Sequence, residues 1–150
     1  MTILSAFASP QHAAFLAVQR LAQQQAAQAA ELLKAHGLSV AQYNVLRILR
    51  GANQSLTCGE IGERLIAHDP DVTRLLDRLT KQGWVSRQRD GADRRVVTSQ
   101  LTPAGAELLE RLDEPTAALH RAQFAHLSAQ QLGGLLALLD TAFVPKGEPK

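Results

Sequence analysis

Between Arg74 and Arg95 the chain carries seven basic side chains, Arg74, Arg78, Lys81, Arg87, Arg89, Arg94 and Arg95, against three acids, Asp77, Asp90 and Asp93. The net charge of all 150 residues is only +2, so this surplus is local and the remainder of the chain offsets it. A clustered set of guanidinium and ammonium groups suits phosphate oxygens, whose contacts strengthen binding without reading sequence. Reading sequence also requires donors and acceptors on a rigid element that fits a groove.

The stretch Asp69 to Gln82 reads as that element. Asp69 is expected as N-cap and Pro70 as the first helical residue, with Gly83 as the stop. Val72, Leu75, Leu76 and Leu79 fall at i, i+3, i+4 and i+7, one apolar stripe. Thr73, Arg74, Asp77, Arg78 and Lys81 are left on the opposite face. Near the start of the helix, Asp71 could accept from a cytosine amino group, and Thr73 or Arg74 could contact bases or phosphate. Arg78 and Lys81 are placed for phosphates, and Arg87, on the strand that follows, joins the same set. The turn Arg89 to Arg95 brings Arg94 and Arg95 to a loop tip suited to a narrow, electronegative minor groove. Gly91 lets that turn tighten, and Asp93 is expected to hold a neighbouring arginine by an ion pair.

These side chains need a scaffold, and the flanking sequence supplies one. Residues 11–36, rich in Ala, Gln and Leu, read as a helix closed by Gly37. Ser39 with Gln42 has capping-box spacing and opens a helix carrying Tyr43, Leu46 and Leu49, with Gly51 as its expected end. Thr57 with Glu60 repeats the signal for a short helix reaching Ala67. Past Gly83 the period changes to two: residues 84–89 and 96–101 read as a hairpin around the basic turn. Thr102 and Pro103 start a further helix that Pro115 either kinks or splits. Ser128 with Gln131 opens the last helix, with Leu132, Leu135, Leu136 and Leu139, before a polar tail from Pro145 to Lys150. The fold class expected is therefore mainly α with a small β-hairpin wing, one domain over residues 1–150.

Four strings carry a resemblance: Gly37-Leu38-Ser39 with Gln42 to Leu46; Val72 to Leu79; Arg89-Asp90 with Asp93-Arg94-Arg95; and Leu101-Thr102-Pro103-Ala104-Gly105. Together they resemble the MarR family of winged-helix regulators over nearly the whole chain, the wing motif matching at Asp93-x-Arg95 followed by Leu101 to Gly105. The resemblance implies a winged helix-turn-helix lobe of about residues 39–101, with dimerisation helices at about 11–36 and 103–143. It further implies an obligate homodimer bound to a pseudo-palindromic double-stranded DNA operator as a repressor, and relief by a small aromatic effector in the cleft beside the dimerisation helices. The apolar terminal helices favour a second copy on their own account, because the small lobe can cover only part of them.

Other chemistries have weaker footing. Cys58 is the one cysteine, which excludes an internal disulfide and a cysteine zinc cluster. At the first position of a helix its thiol lies in the positive end of the dipole, so oxidant sensing through Cys58 is an alternative reading. No Lys, Arg or His within five residues reinforces it, and a small, partly buried side chain is the plainer account. His12, His36, His68, His120 and His126 lack metal-ligand spacing and read as surface or interface residues. No Gly-rich phosphate loop, Ser elbow or His-Glu-x-x-His run is present, so the chain is expected not to be an enzyme and to need no cofactor. No stretch is long and apolar enough to span a bilayer and no basic leader precedes the first residues, so a soluble, cytoplasmic protein is expected. A protein-docking adaptor that does not read DNA remains the rival use of the same fold.

Overall fold

The computed structural model describes residues 9–67 and 69–143. His68 and the tail from Pro145 to Lys150 lie outside the described residues, as do Val144 and the first eight positions. The elements follow in the order α1 (Pro10–Lys34), α2 (Val40–Ala52), β1 (Leu56–Thr57), α3 (Cys58–Arg64), α4 (Val72–Lys81), β2 (Val85–Arg89), β3 (Val97–Leu101), α5 (Pro103–Gln123) and α6 (Ala129–Ala142). The chain divides into two compact units, residues 1–116 and 117–150.

Local chemistry sets most boundaries. Ser9 caps α1 by accepting from the His12 amide, and the helix closes when Leu38 N–H reaches Leu33 O and Gly37 N–H reaches Lys34 O. That double closure needs a left-handed residue, and Gly37 supplies it at φ 74°. The capping boxes at Ser39–Gln42, Thr57–Glu60 and Ser128–Gln131 are all formed in both directions. The Thr57 amide and hydroxyl hold the Glu60 carboxyl below its ordinary range. Thr102 opens α5, its hydroxyl accepting from the Gly105 amide ahead of Pro103.

Several expected boundaries move. α2 runs through Gly51 and ends at Asn53, which takes the left-handed conformation at φ 51°; asparagine tolerates that region better than most residues. α3 stops at Arg64, short of Ala67, and Leu65 turns to extended backbone. α4 begins at Val72, with Asp71 as its cap and not Asp69. α5 continues past Pro115 as one helix. Thr116 turns its hydroxyl onto the carbonyls of Leu112 and Asp113 just beyond the proline.

The hairpin gains a third strand. β3 lies between β2 and β1, antiparallel to both, with Arg87 opposite Ser99 and Leu56 also opposite Ser99. In the first unit the core gathers Leu33 of α1, Val45 and Leu46 of α2, Ile61 of α3, Leu76 and Leu79 of α4, and Leu109 and Leu112 of α5, all at 2% exposure or less. Arg50 of α2 donates to both oxygens of Asp113 of α5 at 3.0 and 2.9 Å. This pair holds the Asp113 carboxyl below its usual range and raises Arg50 in turn. Its contribution to stability is therefore present above the ordinary carboxylate range and lost as pH falls through the lowered value. With both side chains more than a third exposed, solvent screening limits it to about 1 kcal/mol or less.

Candidate nucleic-acid interface

α4 presents two faces of opposite character. Val72, Leu75, Leu76 and Leu79 are buried at 8%, 9%, 0% and 0% exposure, while Thr73, Arg74, Asp77, Arg78 and Lys81 stand exposed on the other side. The sequence-derived stripe and its polar counterpart are both present.

Asp71 has a structural duty beyond the base readout expected of it. Its Oδ1 accepts from the Arg74 amide at 3.1 Å, and its own amide donates to Asp69 Oδ1 at 2.8 Å. Asp69 thus makes a side-chain turn immediately upstream, and Asp71, one of its oxygens so engaged, starts the helix. Gly83, at φ 76°, closes the far end, where the Trp84 amide reaches back to Leu79 O and the Gly83 amide to Thr80 O. Both ends are thus fixed by named groups, so the five polar side chains between them project from a rigid rod.

Arg87, expected among the phosphate-binding residues, donates through Nη1 to Asp77 Oδ1 of α4 at 2.5 Å. The contact ties the first wing strand to the polar face of the helix. Asp77, expected only as part of the solvent-facing side, therefore has a partner on the sheet. The two residues lie ten apart on different elements, a spacing that no single-helix pattern reveals.

The connection between β2 and β3 is exposed from Asp90 to Arg95. Asp90 Oδ1 accepts from the Ala92 amide at 3.1 Å and Asp93 Oδ1 from the Arg95 amide at 2.9 Å, while the Asp90 amide donates to Val96 O. The expected ion pair from Asp93 to an arginine is absent among the described residues; the carboxylate folds the backbone instead, as aspartate does in turns. Arg94 and Arg95 project from that tip without an acidic partner among the described residues. Gly91 lies in the bend with open space around it.

At the base of the wing, Thr102 joins three segments. Its hydroxyl donates to Gly83 O at 2.6 Å while accepting from the Gly105 amide, and its amide donates to Trp84 O at 3.1 Å. Gly105 is buried hard against that Trp84 carbonyl; any Cβ there would collide with it and with the Leu101 side chain. From sequence, Thr102 is legible only as a helix cap.

Cys58 is half-buried at the edge of the core, with Sγ 3.5 Å from Thr73 Oγ1. His36 Nδ1 faces Leu32 O and His120 Nδ1 faces Gln123 Oε1. No group of three or more His, Cys, Asp or Glu among the described residues is arranged to hold a metal ion. Among them, too, no helix is long and apolar enough to cross a membrane.

Comparison with known proteins gives this geometry a setting. A family model described as MarR family matches residues 36–96. The HTH-type transcriptional regulator YkoM of Bacillus subtilis is 34% identical over 112 residues, covering 73% of this chain and 70% of that protein. The crystal structure of a MarR transcription factor from Planctomyces limnophilus superposes with a TM-score of 0.71 at 38% identity, covering 90% of this chain and 98% of that one. A mutant of Escherichia coli MarR complexed with operator DNA gives a TM-score of 0.76 at 29% identity, covering 85% of this chain and 91% of that one.

Proposed function

The chain belongs to the MarR family of DNA-binding transcriptional regulators, and from that premise we propose that it acts in the cytoplasm as a homodimeric repressor relieved by a small-molecule effector. Family members are regulators and not enzymes. The observation that carries the reading is the pairing of an exposed polar α4 face with an arginine-tipped wing, latched by Arg87 and Asp77. α4 enters the major groove, Thr73 and Arg74 meeting base edges or phosphate near its start, and Arg78 and Lys81 meeting phosphates further along. Asp71 retains one oxygen for a cytosine amino group while capping the helix. Arg94 and Arg95 enter the adjoining minor groove, with Asp93 and Gly91 shaping the bend that carries them.

A dimer is supported by apolar side chains that each unit leaves uncovered. In α1, Phe15, Val18 and Leu21 are 57%, 53% and 38% exposed, in α6 Leu136 and Leu139 are 56% and 40% exposed, and Phe143, which follows α6 as its cap, is 73% exposed. Each set recurs at helical spacing, so each helix offers one apolar stripe to a second copy. Two-fold symmetry then presents two α4 helices to successive major grooves, roughly 34–36 Å apart, and requires a pseudo-palindromic operator. A dimer seated on such a site within a promoter blocks access to it, which is how it represses.

Fluorescence anisotropy with duplex DNA from upstream of the chain's own coding sequence tests the proposal. Affinity is expected to fall steeply and log-linearly with salt, by about 10³-fold or more between 50 and 200 mM for a dimer with six or more phosphate contacts. An adaptor that only docks proteins would bind no duplex at any salt concentration, and that result would overturn the reading.

A further inference from the structure

Of the seven basic side chains between Arg74 and Arg95, six are exposed and Arg87 is half-buried. It follows Val85 on one face of β2, since strand residues two apart share a face, and it stands opposite the buried Ser99 of the central strand. Its Nε is buried without a hydrogen-bond partner and its Nη1 donates to Asp77, which leaves the side chain 26% exposed. A guanidinium seated in this way is turned toward α4 and not outward to a phosphate.

Asp77 is the complementary oddity. Thr73, Arg74, Arg78 and Lys81 share its exposed face of α4, and a carboxylate among them repels the phosphates that the cations attract. On charge alone, an amide in its place would suit DNA better. The other two acids of the basic stretch, Asp90 and Asp93, accept backbone amides in the turn; Asp77 serves Arg87.

The place of this contact gives it leverage. The wing is fixed to α4 at its root, where the Trp84 amide reaches Leu79 O and the Thr102 hydroxyl reaches Gly83 O. Arg87 and Asp77 make a second tie further out along β2, and beyond it Gln88, Arg89 and the connection to Arg95 are exposed. Strand residues advance about 3.3 Å each, so Asp90 stands roughly 16 Å beyond Val85. A pivot of about 10–20° at the root would carry the bend by roughly 3–6 Å, more than a groove contact tolerates. The second tie removes that freedom.

We propose that Asp77 is a positioning residue for DNA recognition: by holding Arg87 it fixes the angle between α4 and the wing, so that Arg94 and Arg95 reach the minor groove while α4 lies in the major groove. Arg87 acts through this contact and not on the duplex itself. The role rests on the DNA-binding reading above. On an arbitrary duplex a loosely aimed wing still finds phosphates, which run along every sequence; on the operator, helix and wing must be seated together.

Fluorescence anisotropy of Asp77→Asn, Arg87→Gln and the double variant, on the upstream duplex and on an unrelated duplex of equal length, tests this. Each single variant should lose operator affinity by about fivefold or more, the scale of coupling between touching residues, and the double variant no more than either. Binding to the unrelated duplex should not fall. In an Arg94→Ala/Arg95→Ala background, Asp77→Asn should have no further effect, because the tip it aims is gone, whereas a general weakening of the fold would persist there. All variants should melt close to wild type, the pair being exposed enough for solvent to screen it. Asp77→Asn that binds the operator as tightly as wild type or more so, as charge alone predicts, would overturn the role. So would an Arg87→Gln loss equal on both duplexes, the mark of a phosphate contact, or an Asp77→Asn loss undiminished without the wing arginines. A wild type that binds neither duplex would overturn the regulator reading and this role with it.

Discussion

Arg94 and Arg95 stand at a turn whose shape is set by two aspartates accepting backbone amides, so removing either guanidinium leaves the bend in place. Arg94→Ala or Arg95→Ala should therefore weaken operator binding by about 1–3 kcal/mol while the protein melts normally; anisotropy and thermal denaturation on the same preparations check both halves. Asp71 divides its effect differently. Asp71→Ala should cost about 1 kcal/mol of stability, seen as a melting shift of about 2–4 °C, whereas Asp71→Asn keeps an oxygen for the cap and should melt close to wild type. If the two variants melt alike, the side chain is not the cap. These assignments show what single residues reveal in a sequence. The basic run, the turn aspartates and Gly91 are visible as residue types, but the ion pair expected of Asp93 does not form, because an aspartate in a bend has a backbone amide nearer to hand than any arginine.

At the scale of elements, whatever depends on contacts within four residues is legible. Three capping boxes and the apolar stripe of α4 follow from spacing alone, since helical neighbours are fixed by the helix itself. The start of α4 shifts because Asp69 and Asp71 both accept amides two and three residues ahead, and only the second launches a helix. β1 escapes notice because two residues make no pattern and their partner, Ser99 with Thr98, is distant in sequence. The Arg87–Asp77 tie and the approach of Gly105 to Trp84 are invisible for the same reason. Gly105→Ala forces a methyl into the Trp84 carbonyl and should destabilise the fold by about 1–3 kcal/mol or more, as overpacking does. Chemical denaturation checks it, and a midpoint equal to wild type would mean that this approach is not tight.

For the whole molecule, the apolar residues exposed on α1 and on α6 are where the proposed second copy would pack. Sedimentation should find a dimer, while Leu136→Asp with Leu139→Asp should yield monomers with at least roughly tenfold weaker operator binding, since one lobe then acts without the other. A wild type that sediments as a monomer and still binds the operator tightly would remove the dimer from the mechanism. The bonds that Thr102 makes to Gly83, Trp84 and Gly105 carry a mechanical consequence. They rivet the exit of α4, the root of the wing and the first turn of α5 at one hub. If the proposed regulator is controlled through α5, a displacement of its first turn would carry α4 and the wing with it as one piece.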